Sequence, residues 1–476
     1  MGYIYVIVLI LYAIVVITAI VTVLLDNRQP AKTMAWILVL VFLPVIGVVF
    51  YFFFGQNTRK EKLISQNSLD QLTKRTMLAF VEQQGLSIPQ KHSSVVRMLS
   101  RHNYALPFKD NSVQVLTDGY AFFGSLIKDI ASAKAHIHLS TYIFADDAIG
   151  TLIADCLCDK AKTGVEVRLI YDDVGCWSVT YKFFERMRDN GIDVHAFMPV
   201  HFPAFTSKVN YRNHRKLCVI DGRVGYIGGF NIADRYVKGK HSKPWRDTHL
   251  RITGGAVMGI QRAFLVDWYF IDRTLITSRK YYPPVDNAVQ PPNNCVIQIV
   301  SSSPVSPLSD IMNGYVRILT EAKSYVYMET PYFLPTETVL FAMHAAVLAG
   351  VDVRLMIPKR TDTMLAQWAS RSYVSQAALM GVRIYLYNTG FNHSKLLVCD
   401  DSLCSCGSTN IDFRSFENNF EANAFIYDET MARQMKDVFM HDVDHCELYD
   451  ETRTGSSRPL HKRLWESIVR LLAPLL

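Results

Sequence analysis

Two short constellations in this chain have the residue types and spacing to do chemistry at phosphorus. His214 and Lys216 stand two residues apart, Asp221 follows after the apolar run Leu217-Cys218-Val219-Ile220, and Gly228-Gly229-Phe230-Asn231 completes the set. His393, Lys395 and Asp400 repeat the pattern, followed by Gly407-Ser408-Thr409-Asn410. Residues at i and i+2 of a strand share a face, so each His–Lys pair can present an imidazole and an ammonium to one ligand. The apolar run reads as buried strand and leaves Asp221 or Asp400 at its end beside a turn, where a hydrogen-bonding role suits it better than proton transfer. Asn231 and Asn410 follow glycine turns and can aim amide donors at an oxyanion. Together these groups make a cationic, donor-rich pocket suited to a phosphate diester, in which one histidine attacks phosphorus while the other protonates the leaving oxygen. A metal centre is not expected, because protonated lysine is no ligand and neither motif carries a His/Cys/carboxylate cluster. The sequon Asn392-His393-Ser394 overlaps the second motif and carries no separate meaning.

The elements that must position these groups are themselves duplicated. Ala133 to Phe144 matches Ala322 to Phe333 in apolar pattern, Gly164-Val165-Glu166-Val167 answers Gly350-Val351-Asp352-Val353, and Gly191-Ile192-Asp193-Val194 answers Gly381-Val382-Arg383-Ile384. Helices and strands alternate between the matches, which predicts two similar α/β domains, each with a largely buried sheet. A single ordinary domain is excluded by 476 residues, and disorder by a chain that is half hydrophobic and only 20% charged.

The apolar excess sits at the front. Residues 3–25 and 33–55 are uncharged runs, each long enough as a helix to span a hydrocarbon core of about 30 Å. No basic n-region precedes the first, and a second follows at once, so two spanning helices are expected in place of a signal peptide. Arg28 and Lys32 in the connecting turn are outweighed by Arg59, Lys60, Lys62, Lys74 and Arg75 beyond the second run, which predicts a multi-pass cell-membrane protein with a cytoplasmic body. The net charge of +7 fits an anionic membrane surface and would also fit nucleic acid, with no long basic run to decide between them. Nine cysteines cannot all pair, in keeping with a reducing compartment, and Cys156-x-Cys158 and Cys404-x-Cys406 read as small buried hydrophobes. Leu460, Leu464, Ile468, Leu471 or Leu472, and Leu475 recur at helical spacing beside Trp465, with His461, Lys462, Arg463 and Arg470 off the stripe. This helix either lies in a membrane interface or docks on its own domain. The expected organisation is a helical hairpin at 1–56, a linker at 57–110, a first domain at 111–280, a Pro-rich linker at 281–294, a second domain at 295–450 and an amphipathic helix at 456–476.

The paired His-x-Lys-x4-Asp motifs resemble those of the phospholipase D superfamily. The two apolar amino-terminal runs, Trp245-Arg246-Asp247-Thr248-His249, Glu329-Thr330-Pro331-Tyr332-Phe333, Glu417-Asn418-Asn419-Phe420-Glu421 and the Pro-Leu-Leu terminus are similar to bacterial cardiolipin synthases. The resemblance covers essentially the whole chain. It implies two phospholipase D-type α/β domains in a pseudo-twofold arrangement, with His214, Lys216, Asp221, His393, Lys395 and Asp400 as the catalytic set. His214 would be the nucleophile that forms a phosphohistidine and His393 the general acid and later base. Lys216, Lys395, Asn231, Asn410 and Ser408 would hold the phosphate, and Asp247 and Glu421 would orient the histidines. The first copy has Gly229 where the second has Ser408, so a hydroxyl donor is expected on one side only. The implied reaction is reversible transfer of a phosphatidyl group between two phosphatidylglycerols, without cofactor or metal, giving cardiolipin and glycerol. Phosphatidylglycerol, other anionic phospholipids and the membrane are the implied partners, and no nucleic acid. A hydrolytic phospholipase D, or a transferase using another head-group alcohol, is the alternative.

Overall fold

The computed structural model describes residues 2–25, 30–43, 45–51, 88–200, 210–239, 243–284, 295–306, 308–454, 459–471 and 473. The first half contains β1 (Phe108–Leu116), β2 (His136–Thr141), β3 (Glu166–Asp172), β4 (Asp193–Phe197), β5 (Leu217–Ile220), β6 (Val224–Gly228), β7 (Trp245–Arg246) and β8 (His249–Thr253). The second contains β9 (Cys295–Ser302), β10 (Tyr325–Glu329), β11 (Phe333–Leu334), β12 (Asp352–Pro358), β13 (Arg383–Tyr387), β14 (Phe391–Asn392), β15 (Leu396–Cys399), β16 (Leu403–Gly407), β17 (Ile411–Asp412), β18 (Glu421–Tyr427) and β19 (Cys446–Leu448).

Strand order is the same in both halves: β1-β8-β6-β5-β2-β3-β4 in one, β9-β18-β16-β15-β10-β12-β13 in the other, with β19 added at the far edge. β2, β3 and β4 pair in parallel, as do β10, β12 and β13, through crossover helices at Ala148–Lys162, Tyr181–Asp189, Glu337–Leu348 and Met364–Leu379. This is the α/β duplication expected from the repeat. β1 and β9 join the halves antiparallel, through a bulge between Phe108 and Asn111. The inner faces share one core, where Leu217, Val219, Ile227 and Leu250 pack with Leu396, Val398, Cys404 and Ala424.

Three features depart from the expected organisation. Within the stretch expected to be linker, Ser93–Asn103 is a helix whose Val95, Val96 and Leu99 are buried against Ile311, Tyr315 and Ile318 of the second half. The amphipathic spacing of those apolar residues, overlooked in a polar neighbourhood, is its cause. The first apolar run forms one helix, Gly2–Leu25, long enough to cross a membrane. The second is broken: Pro30–Phe42 is helical, Val45 has φ 57°, and helix resumes only at Ile46–Phe50. A proline stands at position 44, and a proline inside a helix removes a hydrogen bond and crowds the preceding turn. The cysteines are free, and Cys158, Cys404 and Cys406 are buried as expected, while Cys156 is only half-buried.

Candidate active site

Each motif enters its strand at the same edge of its half-sheet. β5 runs antiparallel to β2, setting Leu217 opposite Ser140, and β15 runs antiparallel to β10, setting Leu396 opposite Glu329. The residues just before β5 and β15 therefore lie at the carboxyl ends of the parallel strands. Asn213 and Asn392 each fix the turn there, their side-chain oxygens accepting from the amides of Arg215 (3.1 Å) and Ser394 (2.9 Å). These asparagines were not singled out from the sequence, although Asn-His recurs in both motifs.

The two halves exchange carboxylates. Nδ1 of His214 lies 3.0 Å from Oε1 of Glu421, which comes from the second half, and Nδ1 of His393 lies 2.6 Å from Oδ2 of Asp247, which comes from the first. The backbone repeats the exchange: His214 N donates to Phe420 O at 2.9 Å and His393 N to Arg246 O at 2.7 Å, with β14 pairing in parallel with β7. Each carboxylate accepts from Nδ1–H, which leaves Nε2 of both rings for substrate. Lys216 Nζ donates to His214 O at 2.6 Å, and Lys395 Nζ donates to His393 O and stands 2.9 Å from His393 Nδ1. His214, Lys216, His393, Lys395, Asp247 and Glu421 thus form one cluster.

The other expected site residues do different work. Asp221 accepts from the amides of Lys134, Ala135 and His136 at 2.7–2.8 Å, and Asp400 from those of Lys323, Ser324 and Tyr325 at 2.8–2.9 Å. Both sit at the far end of the motif strand with φ near 50° (52° and 48°), so they cap the loops entering β2 and β10 and stand outside the reacting cluster. Ser408 donates to Glu421 Oε2, so its hydroxyl orients a carboxylate and does not face a phosphate. The counterpart, Gly229, has no room for a side chain: a Cβ there would lie 1.9 Å from Asp247 Oδ1. The asymmetry of the two motifs thus tracks how each carboxylate is seated. Asn231 Nδ2 donates to Tyr236 OH at 2.5 Å and its oxygen accepts from Ile143 N at 3.0 Å, so the amide is held by the fold at both ends. Asn410 Oδ1 is buried without a hydrogen-bond partner among the described residues.

Beneath the cluster lie buried groups that sequence reading missed. Arg215 bonds Asp267, Ser302 O and Glu421 O, and Arg246 bonds Asp442 and Asp247 O. Each arginine adjoins a site residue in sequence, Arg215 between His214 and Lys216 and Arg246 before Asp247, and that adjacency was the signal that could have found them.

Burial dominates the electrostatics. It pushes the His214 imidazole down to about 4, with Glu421 opposing and Lys216 assisting. Burial, then the Lys395 charge, pushes His393 down to about 4 against Asp247. Burial also brings Lys395 down to about 8 and Lys216 well below the ordinary lysine value. For the carboxylates burial is outweighed: Lys395 and His393 hold Asp247 below the usual range, and His214, Lys216 and Ser408 do so for Glu421. Burial thus favours the neutral imidazole at both histidines, while the neighbouring cations keep both carboxylates ionised.

Residues 126–243 and 315–443 match the family model described as cardiolipin synthase, PLD-like domain, and residues 6–56 match the one described as Phospholipase_D-nuclease N-terminal. The chain is 39% identical to the major cardiolipin synthase ClsA of Bacillus subtilis, over 97% of each chain, and 37% identical to a cardiolipin synthase of Oceanobacillus iheyensis, over 96% of each. In fold it is similar to the phosphatidylserine synthase of Haemophilus influenzae, with a TM-score of 0.62 and 16% identity over 80% of this chain and 100% of that one.

Proposed function

This chain belongs to the cardiolipin synthases of the phospholipase D superfamily, and from that membership we propose that it passes a phosphatidyl group from one phosphatidylglycerol to another through a phosphohistidine on His214. As a member of that family it is a phosphatidyltransferase. The observation that carries the reading is the exchanged carboxylates, each half's histidine engaging a carboxylate of the other through Nδ1 and keeping its Nε2 for substrate.

Nε2 of neutral His214 attacks phosphorus, the P–O bond to the head-group glycerol breaks, and the departing oxygen takes the proton from Nε2 of His393. The hydroxyl of a second phosphatidylglycerol then gives its proton to His393 as its oxygen attacks phosphorus and releases His214. The number of phosphodiester bonds is unchanged, so no nucleotide is consumed. Lys216 and Lys395 neutralise the non-bridging oxygens. Asp247 and Glu421 hold each ring in one tautomer.

The 1–56 region anchors the catalytic body to the cell membrane in two passes, with the body cytoplasmic. Supporting this, Val23 of the first apolar helix packs with Leu40 and Tyr51 of the broken second segment, and basic residues concentrate beyond it. Purified protein given phosphatidylglycerol as its only lipid should yield cardiolipin and glycerol by mass. Phosphatidic acid and glycerol would instead make it a hydrolase.

A further inference from the structure

The C-terminal helix Leu460–Arg470 presents its apolar stripe to the outside. It docks on helix Met364–Leu379 through Val469 and Ala473, with Trp465 edge-on to Trp368 at 5.8 Å and Arg470 Nη2 donating to Gln376 Oε1 at 2.8 Å. Yet Leu460 is 80% exposed, Leu464 61% and Leu471 78%, and Ile468 lies on the same line. Glu466 is buried on the docked side. Four aliphatic side chains turned outward while a glutamate turns inward is the reverse of a helix made for water.

A short chain of contacts links the stripe to the histidine cluster. Trp465 beside Trp368, and Arg470 beside Gln376, show that the two helices run in the same direction, which brings Leu460 towards the exposed Met364 and Leu365. Two residues before Met364, Asp362 accepts from Tyr332 OH at 2.5 Å; Tyr332 neighbours Phe391, and Phe391 lies 5.8 Å from the His393 ring. In the other half the Tyr142 ring lies 5.2 Å from that of His214, Tyr142 O accepts from Cys176 Sγ at 3.7 Å, and the next residue, Trp177, is exposed, as is Tyr181. Exposed apolar side chains thus stand a few contacts from each histidine and make up an apolar rim.

We infer that this rim is a bilayer-docking surface, in which the Leu460–Leu471 stripe, Met364, Leu365, Trp177 and Tyr181 enter the boundary between head groups and acyl chains of a membrane containing anionic lipid. The chain's own 24-residue apolar helix brings a bilayer to the catalytic body. Exposed Arg360, His461, Lys462 and Arg463 beside the stripe complement anionic head groups. The inference rests on the lipid-substrate reading of the site: acyl chains stay in the bilayer while the phosphate rises to His214.

The test uses full-length protein in nanodiscs of phosphatidylglycerol with brominated acyl chains, with the Trp465→Phe protein measured alongside. The difference between the two emissions isolates Trp465, which should be quenched by the brominated chains; unquenched Trp465 emission would overturn the inference. In parallel, Leu464→Asp and Ile468→Asp should raise KM for phosphatidylglycerol in vesicles about tenfold or more relative to KM for monomeric dihexanoyl-phosphatidylglycerol. An equal change on both substrates would count against docking. If the unsubstituted protein turned over neither substrate, the reaction reading would fail, and quenching would still decide the surface. A change of oligomeric state in Leu464→Asp with Trp465 unquenched would assign the stripe to a second copy and overturn the proposal.

Discussion

Glu421 and Asp247 each engage Nδ1 of a histidine, and on the proposed mechanism they decide which nitrogen meets the substrate. Glu421→Gln and Asp247→Asn should each lower kcat by about 10²- to 10⁴-fold with the protein still folded, because an amide cannot enforce the tautomer or offset the imidazolium. Since Glu421 serves His214 across the halves, adding Glu421→Gln to His214→Ala should cost almost nothing further, and full additivity would show that the pair does not act as a unit. The pH dependence follows from the same groups. Lys395, held down to about 8, loses its charge as pH rises through that value, so KM for the lipid should rise above about pH 8 instead of near the ordinary lysine value. A KM flat to pH 10 would contradict this. The two His–Lys pairs were legible because the motif is duplicated, although they stand in the turns just before β5 and β15 and not within the strands as expected. The partner of each carboxylate was not, because sequence proximity says nothing about which half supplies it. Ser408 and Asn231 were expected at the phosphate from the family resemblance; only side-chain direction shows that Glu421 takes the Ser408 hydroxyl and Tyr236 an amide donor of Asn231.

Elements depend on capping that the motif aspartates supply. Asp400→Ala removes the acceptor for three amides at the entry to β10 and places alanine at positive φ, so it should cost about 2–4 kcal/mol in denaturant unfolding. A loss of kcat without loss of stability would place Asp400 in the chemistry instead. Gly229→Ser should displace Asp247 and resemble Asp247→Asn in kcat, since its Cβ has nowhere to go. The order of strands and helices was legible from glycine-led apolar runs. The break in the second apolar segment is hidden by its apolar composition, and Pro44 is the one residue in the run that points to it.

At the scale of the molecule, the catalytic centre exists only because the halves are joined. The shared core of Leu217, Val219 and Leu250 with Leu396, Val398 and Ala424 makes separate unfolding of the halves unfavourable, and helix Ser93–Asn103 ties the segment before the first half to the second. The soluble body should therefore melt in one cooperative transition; two well-separated transitions would argue against the common core. The repeat made two domains legible, yet their shared core depends on which faces of β6, β8, β16 and β18 meet, and that is set by the β1–β9 join. The most direct test of the exchanged two-histidine site is peptide mass spectrometry after brief mixing with phosphatidylglycerol and an alkaline quench. A phosphatidyl adduct on the peptide carrying His214, absent from His214→Ala, is the expected result. An adduct on His393, or full turnover by His214→Ala, would contradict the account.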